Sequence, residues 1–207
     1  MPSKVSSPSS APAARGRPRS LRAKRAVLAA ARALVEKGGY QAVTIEAVAA
    51  RSGAAKTTIY RWWPNRTALV VELLVQMAAA EVPTPAGRDP VRALRTELRR
   101  TAAVADAALG RLMMSLLGEA QDDPDLRAAL LEGLFNPRRE ASARVIRQAQ
   151  ASGSLRPDVP AYLAADLLFG PLFYRMLFGH EPVTDSFINH VFQYVLEGLQ
   201  VRPARRR

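Results

Sequence analysis

The chain has 207 residues, enough for one or two small helical domains with a buried core. It contains no cysteine and only two histidines, which excludes disulfides and thiolate chemistry and makes a histidine-based metal or catalytic site improbable. The net charge of +12 is unevenly distributed, because residues 1–66 carry 13 Lys and Arg against 2 acids, whereas residues 67–200 carry 13 against 16. This segregation predicts a polyanionic partner for the first third of the chain.

No uninterrupted apolar run of about 18 residues is present, and the chain start lacks the apolar stretch of a secretory signal. We therefore expect a cytoplasmic protein without a membrane partner. The residue inventory gives no reason to expect a cofactor or a metal ion.

Residues 1–19 are predicted to form a disordered basic arm, rich first in Ser, Pro and Ala and then in Arg. Arg15, Arg17 and Arg19 are separated only by small residues or proline, so this segment fits a narrow minor groove of DNA. Without a DNA-binding unit beside it, the same segment would be a charged leader and no more. Residues 202–207 are predicted to be a disordered Arg-rich tail.

Three helices follow the arm. Apolar residues recur at helical spacing from Leu21, and Gly38-Gly39 end this first helix. Thr44 can cap a second helix, which Ser52-Gly53 end. A third helix follows, and Pro64 ends it. This order is that of a helix-turn-helix unit braced by a preceding helix, and it predicts a DNA-binding domain over residues 20–66.

The third helix has two unlike faces. Stepping about 100° per residue places Ile59 and Trp63 on an apolar side, where we expect both to pack. Lys56, Thr57 and Tyr60 fall on the opposite side, which is rich in hydrogen-bond donors. Donors of this kind suit phosphates and base edges in a major groove.

The sequence Thr44-Ile45-Glu46-Ala47-Val48-Ala49, followed by Gly53, by residues 58–66 and by Ala68-Leu69, resembles the DNA-binding domain of the TetR family of bacterial transcriptional regulators. The resemblance is specific over residues 20–70 and looser beyond them. It implies an all-α homodimer that binds a palindromic operator and releases it when a small molecule enters the C-terminal domain.

The candidate DNA contacts divide by chemistry. Lys56 and Thr57 are the base-edge candidates, and Thr58 stands beside them in the motif. Tyr60 and Arg66 suit phosphates, a role that the resemblance also implies. Three candidates each have two interpretations. Arg61 could contact either a guanine or a phosphate, and Thr44 could cap its own helix and also donate to a phosphate. Trp62 could pack in the core or contact the DNA backbone.

Residues 67–201 are predicted to form a helical ligand-binding and dimerisation domain. A helix begins at Asn65, and Asp89-Pro90 and Asp123-Pro124 start further ones. Pro137 is expected to kink or divide its segment. Since no period-2 strand is found, we predict an all-α fold of about nine helices.

The last two helices are candidates for a four-helix dimer interface, which the resemblance also implies. The first of them is apolar nearly all round, so it is either the central helix of one subunit or shared between core and interface. The candidate interface residues are Leu168, Leu172, Met176, Phe187, Val191 and Val195.

A mostly apolar small-molecule effector is expected, because few charges fall in the apolar stretches of this domain. The candidate pocket residues are Met113, Met114, Leu117, Leu134, Phe135, Phe169 and Phe173. The same residues also fit a filled core. The two rival functions are a ligand-independent DNA-binding regulator, either repressor or activator, and an enzyme, which the poor catalytic inventory disfavours.

Overall fold

The computed structural model describes residues 17–200, and the side chains from residue 21 onward. Nine helices make up this range, and it contains no strand, so the all-α prediction is confirmed. The helices are α1 (Arg17–Gly38), α2 (Ile45–Ser52), α3 (Lys56–Trp62), α4 (Arg66–Glu81), α5 (Pro90–Ala103), α6 (Ala108–Glu119), α7 (124–151), α8 (Ala161–Phe178) and α9 (Asp185–Leu199).

Side-chain caps set the starts of five helices, because each satisfies a backbone N–H that the first turn leaves unpaired. Thr44 Oγ1 accepts from the backbone N–H of Ala47 at 3.1 Å, and Asn65 Oδ1 accepts from that of Ala68 at 2.8 Å. The same bond is made at α5, α7 and α9 by Asp89, Asp123 and Thr184. These starts were predictable because a cap depends on local sequence alone.

Helix α7 passes through Pro137 without dividing. Two α-helical parts, Pro124–Leu130 and Asn136–Ala151, are joined by a π-helical turn at Leu131–Phe135. Proline lacks the N–H that an α-helix requires, and the wider turn directly before it accommodates that gap. The irregularity predicted near Pro137 is therefore present as the π-helical turn, but the helical segment stays continuous from residue 124 to residue 151.

Two hydrophobic clusters form the interior. The first joins α1, α2, α3 and α4 to α6 and the first half of α7, and the second joins α5, the second half of α7, α8 and α9. The first cluster continues past residue 66, so the helix-turn-helix shares its core with part of the C-terminal body. A displacement in that body can therefore be transmitted to the N-terminal helices by direct packing.

The described residues overlap the predicted arm at its last three positions. Helix α1 starts at Arg17, so residues 17–19 are helical, whereas the whole of residues 1–19 was expected to be disordered. Arg15 lies outside the described residues, as do the side chains of Arg17 and Arg19 and the predicted tail at 202–207. Their DNA contacts stay predictions.

Helix α8 is long and apolar enough to cross a membrane by length and composition, although 22% of it is buried within the chain. Helices α5 and α6, bent by 84°, meet that criterion only when taken together. A helix that packs in a protein core satisfies the same criterion, and one side of α8 does pack in the second cluster.

Candidate functional site

Helices α2 and α3 form the turn that the motif predicted. Gly53 adopts φ 69°, a left-handed conformation that side chains disfavour, and its N–H bonds the carbonyl of Ala49 at 3.0 Å. Helix α3 then packs through Ile59 and Trp63, which are 0% and 2% exposed. The predicted packing role of Trp63 is confirmed, and a seven-residue helix is thereby fixed in one orientation.

The opposite side of α3 faces solvent. Lys56, Thr57, Tyr60 and Arg61 are exposed, and Thr58 is half-buried. Lys56 Nζ contacts Glu46 Oε1 at 2.6 Å, and this hydrogen bond raises the pKa of the Lys56 amine. The amine is therefore a cation held at the first turn of α3, between the two helices of the unit.

A polar cluster locks the end of α3 onto α4. Trp63 Nε1 donates to Glu72 Oε2 at 2.7 Å, and Lys24 Nζ contacts Glu72 Oε1 at 2.9 Å. The Lys24 amine also lies 5.0 Å from the centre of the Trp62 ring and 5.6 Å from that of Trp63. One carboxylate thus ties together α1, α4 and the residue that follows α3.

The predicted DNA contact of Trp62 needs correction. Its indole Nε1 is buried and has no hydrogen-bond partner among the described residues, and its ring packs against the first cluster. A buried N–H cannot donate to a phosphate, so the structure supports the packing interpretation that the sequence had left open.

Arg66 is placed at the edge of the unit rather than on its exposed face. Its Nη2 donates to the carbonyl of Tyr40 at 2.7 Å, and the guanidinium lies 3.8 Å from the centre of the Tyr40 ring. Burial raises the pKa of Tyr40 to about 12, so this ring is a neutral surface for the cation. Arg66 therefore bridges the 40–42 turn and α4, a structural role that the sequence did not indicate.

A cavity of about 270 Å³ lies in the body between α4, α5, α6, α7 and α8. Five predicted pocket residues line it, namely Met113, Leu134, Phe135, Phe169 and Phe173. Met114 and Leu117 do not: Met114 lines a separate cleft beside α6, and Leu117 packs against the first cluster. Met114, one residue after Met113, points to another side of α6, whereas Leu117, four residues after it, lies one turn further along the same side.

One end of the cavity is polar, which the sequence analysis missed. Glu97 is only 3% exposed, and its Oε2 accepts from Ser142 Oγ at 2.9 Å. Arg138 Nη2 donates to Glu97 Oε1 at 3.3 Å, and its Nη1 donates to the carbonyl of Val82 at 2.7 Å. Burial raises the pKa of Glu97 and lowers that of Arg138. The available signal was Glu97 itself, a charged residue in the apolar stripe that runs through Leu94 and Leu98.

Helix α4 spans the distance between the two features. Glu72, in its first half, holds Trp63 at the end of α3, whereas Ala78 and the capping residue Val82 line the cavity. Arg32 Nη2 contacts Glu81 Oε1 at 2.9 Å and fixes the far end of α4 to α1. A single rigid element therefore touches both the recognition helix and the cavity.

The predicted interface residues need a second correction. Leu168, Leu172 and Val191 are buried in the second cluster of the same chain, so their side chains are not available to a partner. Met176, Phe187 and Val195 are half-buried, and Phe187 lies under the guanidinium of Arg175.

The exposed apolar residues of the last two helices lie on a different side. On α8 they recur at helical spacing and form a single stripe: Leu163, Leu167, Tyr174, Leu177 and Phe178. We term this stripe, together with Tyr194 of α9, the α8–α9 face. Each is at least 46% exposed, and His190 stacks on Tyr194 at 5.7 Å. Large exposed apolar patches are rare on monomeric proteins and are common at interaction sites.

Comparison with known proteins places the chain in a family. Residues 27–73 match "Bacterial regulatory proteins, tetR family", and residues 84–195 match "Tetracyclin repressor-like, C-terminal domain". The chain is 30% identical over 190 residues to YdeS of Bacillus subtilis, described as an HTH-type transcriptional regulator, covering 92% of this chain and 96% of YdeS.

Two further relatives agree with this placement. The DNA-binding transcriptional repressor TetR of Mycobacteroides abscessus is 30% identical over 200 residues, covering 93% of this chain and 99% of the relative. The crystal structure of the TetR family regulator SCO0332 superposes with a TM-score of 0.76 at 33% identity, covering 88% of this chain and 100% of the other. The chain belongs to the TetR family of bacterial DNA-binding transcriptional regulators.

Proposed function

We propose that the protein is a repressor that binds a palindromic operator as a homodimer and leaves it when a small molecule fills the cavity. The observation that carries this proposal is the position of α4, which contacts the residue ending the recognition helix and also lines the cavity. Between its two ends, α4 packs in the same core as α1 to α3.

For DNA reading, we assign α3 to the major groove. Lys56 and Thr57 open the helix on its exposed side and would meet base edges, with Thr58 beside them. Arg61 is exposed at the other end of the helix and suits either a guanine or a phosphate. Tyr60 is 49% exposed and suits a phosphate on the groove flank.

The supporting contacts surround this helix. Thr44 caps α2 at an exposed position, so the same turn offers backbone N–H groups to a phosphate. Arg66 uses one of its five guanidinium N–H donors on the Tyr40 carbonyl, so the remaining donors could meet a phosphate. The arm residues Arg15, Arg17 and Arg19 would grip the minor groove, adding affinity that depends strongly on salt.

The dimer would form through the α8–α9 face. A large apolar stripe is costly to leave in water, and burying it against the same stripe of a second copy gives a two-fold symmetric four-helix interface. Two recognition helices are also required to read a palindrome, since one short helix covers only a few base pairs.

The effector would act by population shift. In the operator-bound state the two α3 helices must lie about 34–36 Å apart, the spacing of successive major grooves. A ligand that fits the cavity better in another state displaces α4 at Val82 and changes this spacing. The cavity favours this mechanism over the ligand-independent alternative, which would require a packed body.

The proposal for DNA reading is tested by selecting bound duplexes from a random library and measuring affinities by fluorescence anisotropy. Lys56→Ala and Thr57→Val should each cost about 1–3 kcal/mol on the selected duplex, roughly a fivefold to 150-fold loss. Both should change binding to an unrelated duplex far less. Arg144→Ala, an exposed arginine of α7, is the control and should leave both affinities unchanged. Equal losses on both duplexes would show that Lys56 and Thr57 do not read bases.

A further inference from the structure

The lining of the cavity is divided between an apolar body and one polar end. Three aromatic rings and several aliphatic side chains form the walls, and Phe135 and Phe173 contact each other with ring centres 5.9 Å apart. The polar end is formed by Glu97, Arg138 and Ser142. A ligand oriented by this lining has a long apolar part and a polar group at one end.

The charges at the cavity balance. Glu97 is paired with Arg138, and at the rim Arg139 Nε contacts Asp166 Oδ1 at 2.7 Å. These four are the charged residues that line the cavity. A ligand with a charge of its own would therefore enter without a counter-charge, and an unpaired charge away from water is strongly unfavourable. This balance selects uncharged ligands.

The buried pair retains hydrogen-bonding capacity in both senses. An ionised carboxylate offers about four acceptor sites, and Glu97 uses one on each oxygen in the described contacts, to Arg138 and to Ser142. A guanidinium has five N–H donors, of which Arg138 uses two, to Val82 and to Glu97. A hydroxyl group matches this arrangement, because it donates one hydrogen bond and accepts another.

We infer that the cavity binds an uncharged, mainly apolar molecule that presents a hydroxyl group to Glu97 and Arg138. The inference rests on the proposed role of the cavity as the effector site, and it specifies the chemical class of that effector.

The volume of the cavity sets the size of the ligand part that it can enclose. An apolar cavity of about 150 Å³ holds one benzene molecule, so by proportion 270 Å³ holds about eleven non-hydrogen atoms. Decan-1-ol has that size, and 2-naphthol is an aromatic alcohol of the same size.

The experiment is calorimetric titration of the full chain at pH 7 with molecules that differ at one end. The aliphatic series is decan-1-ol, decanoate, decylammonium and 1-methoxynonane, an ether that accepts but cannot donate, and the aromatic pair is 2-naphthol and 2-naphthoate. In at least one series the alcohol should bind at least tenfold more tightly than its charged analogues. The ether should be weaker than decan-1-ol, because Glu97 requires a donor.

Two variants should shift the binding preference from the alcohol towards one of the charged analogues. Glu97→Gln leaves the Arg138 charge unbalanced, so decanoate should bind at least tenfold more tightly than it binds the wild type. Arg138→Gln leaves the Glu97 charge unbalanced and should improve decylammonium in the same way. Glu132→Gln removes an exposed carboxylate of α7 that does not line the cavity, and it should change no affinity.

The outcomes separate the two proposals. The hydroxyl assignment would be overturned if a charged analogue bound the wild type most tightly, or if the variants did not bind their charged analogues more tightly than the wild type does. Either result would still support the cavity as an effector site. Binding of none of these molecules would overturn the cavity as an effector site. If either variant fails to unfold cooperatively, the wild-type ranking decides, together with Ser142→Ala, which should retain the preference for the alcohol.

Discussion

Trp63 Nε1 donates a 2.7 Å hydrogen bond to Glu72 Oε2, and this bond joins the end of the recognition helix to the helix that reaches the cavity. The neighbouring Trp62 has an indole N–H without a partner among the described residues. Two adjacent tryptophans thus differ in whether they are coupled to α4, and the difference can be measured.

The first prediction concerns this coupling. A double-mutant cycle of Trp63→Phe and Glu72→Ala should give an interaction energy of about 1 kcal/mol in urea unfolding, because each change removes the same hydrogen bond. The reference cycle of Trp62→Phe and Glu72→Ala should give a smaller value, because these two residues are linked only through the Lys24 amine. Equal interaction energies in the two cycles would mean that the Trp63–Glu72 hydrogen bond contributes no specific coupling.

The second prediction concerns the α8–α9 face. Leu167→Glu or Phe178→Glu places a charge on an exposed apolar surface, so the monomer should stay folded while self-association weakens by at least tenfold. Sedimentation equilibrium measures the association constant. Leu131→Glu changes an equally exposed leucine of α7 and serves as the control. Unchanged association in the first two variants would place the interface elsewhere.

The third prediction concerns the close approach of α6 to the turn that precedes it. A Cβ atom on Gly110 of α6 would lie 2.1 Å from the carbonyl oxygen of Ala105 and 2.5 Å from that of Val104, so the backbone would have to move. Gly110→Ala should therefore lower the free energy of unfolding by roughly 1–3 kcal/mol. Gly118→Ala, on the same helix but with open space around it, should be neutral or stabilising by up to about 1 kcal/mol. Similar effects at both glycines would refute the close approach.

The fourth prediction concerns pH. Burial raises the pKa of Glu97 in the folded protein, so between the ordinary pKa of a glutamate and the raised value the folded state binds more protons than the unfolded state. The wild type should therefore lose stability relative to Glu97→Gln as the pH rises through this window. Urea unfolding of both proteins between about pH 4 and pH 7 measures the difference. Parallel stability curves would show that the pKa of Glu97 is not raised on folding.

Local chemistry explains what the sequence could predict. Caps such as Thr44 and Asn65, and the left-handed turn at Gly53, depend on a few adjacent residues, and the structure has each where it was expected. Trp63 was assigned to the core because its spacing from Ile59 places both on one side of a short helix that cannot stand alone.

What the sequence could not predict depends on which elements pack together. Helix α8 is apolar on nearly every side, so its periodicity does not say which side faces its own core, and Leu168 and Leu172 were placed on the wrong one. The polar end of the cavity joins Glu97 of α5 to Ser142 of α7, 45 residues apart. The spacing of Glu97 from Leu94 and Leu98 indicates a buried position, but only the arrangement of the two helices shows that Ser142 is its partner.

The central claim is that the protein recognises a specific palindromic site through two α3 helices. Footprinting of the purified protein across the DNA that flanks its own gene tests this most directly. We predict a protected palindrome with half-sites centred one helical turn or a multiple of it apart, and loss of that protection in Lys56→Ala. Binding that is abolished by salt and protects no defined sequence would contradict the account.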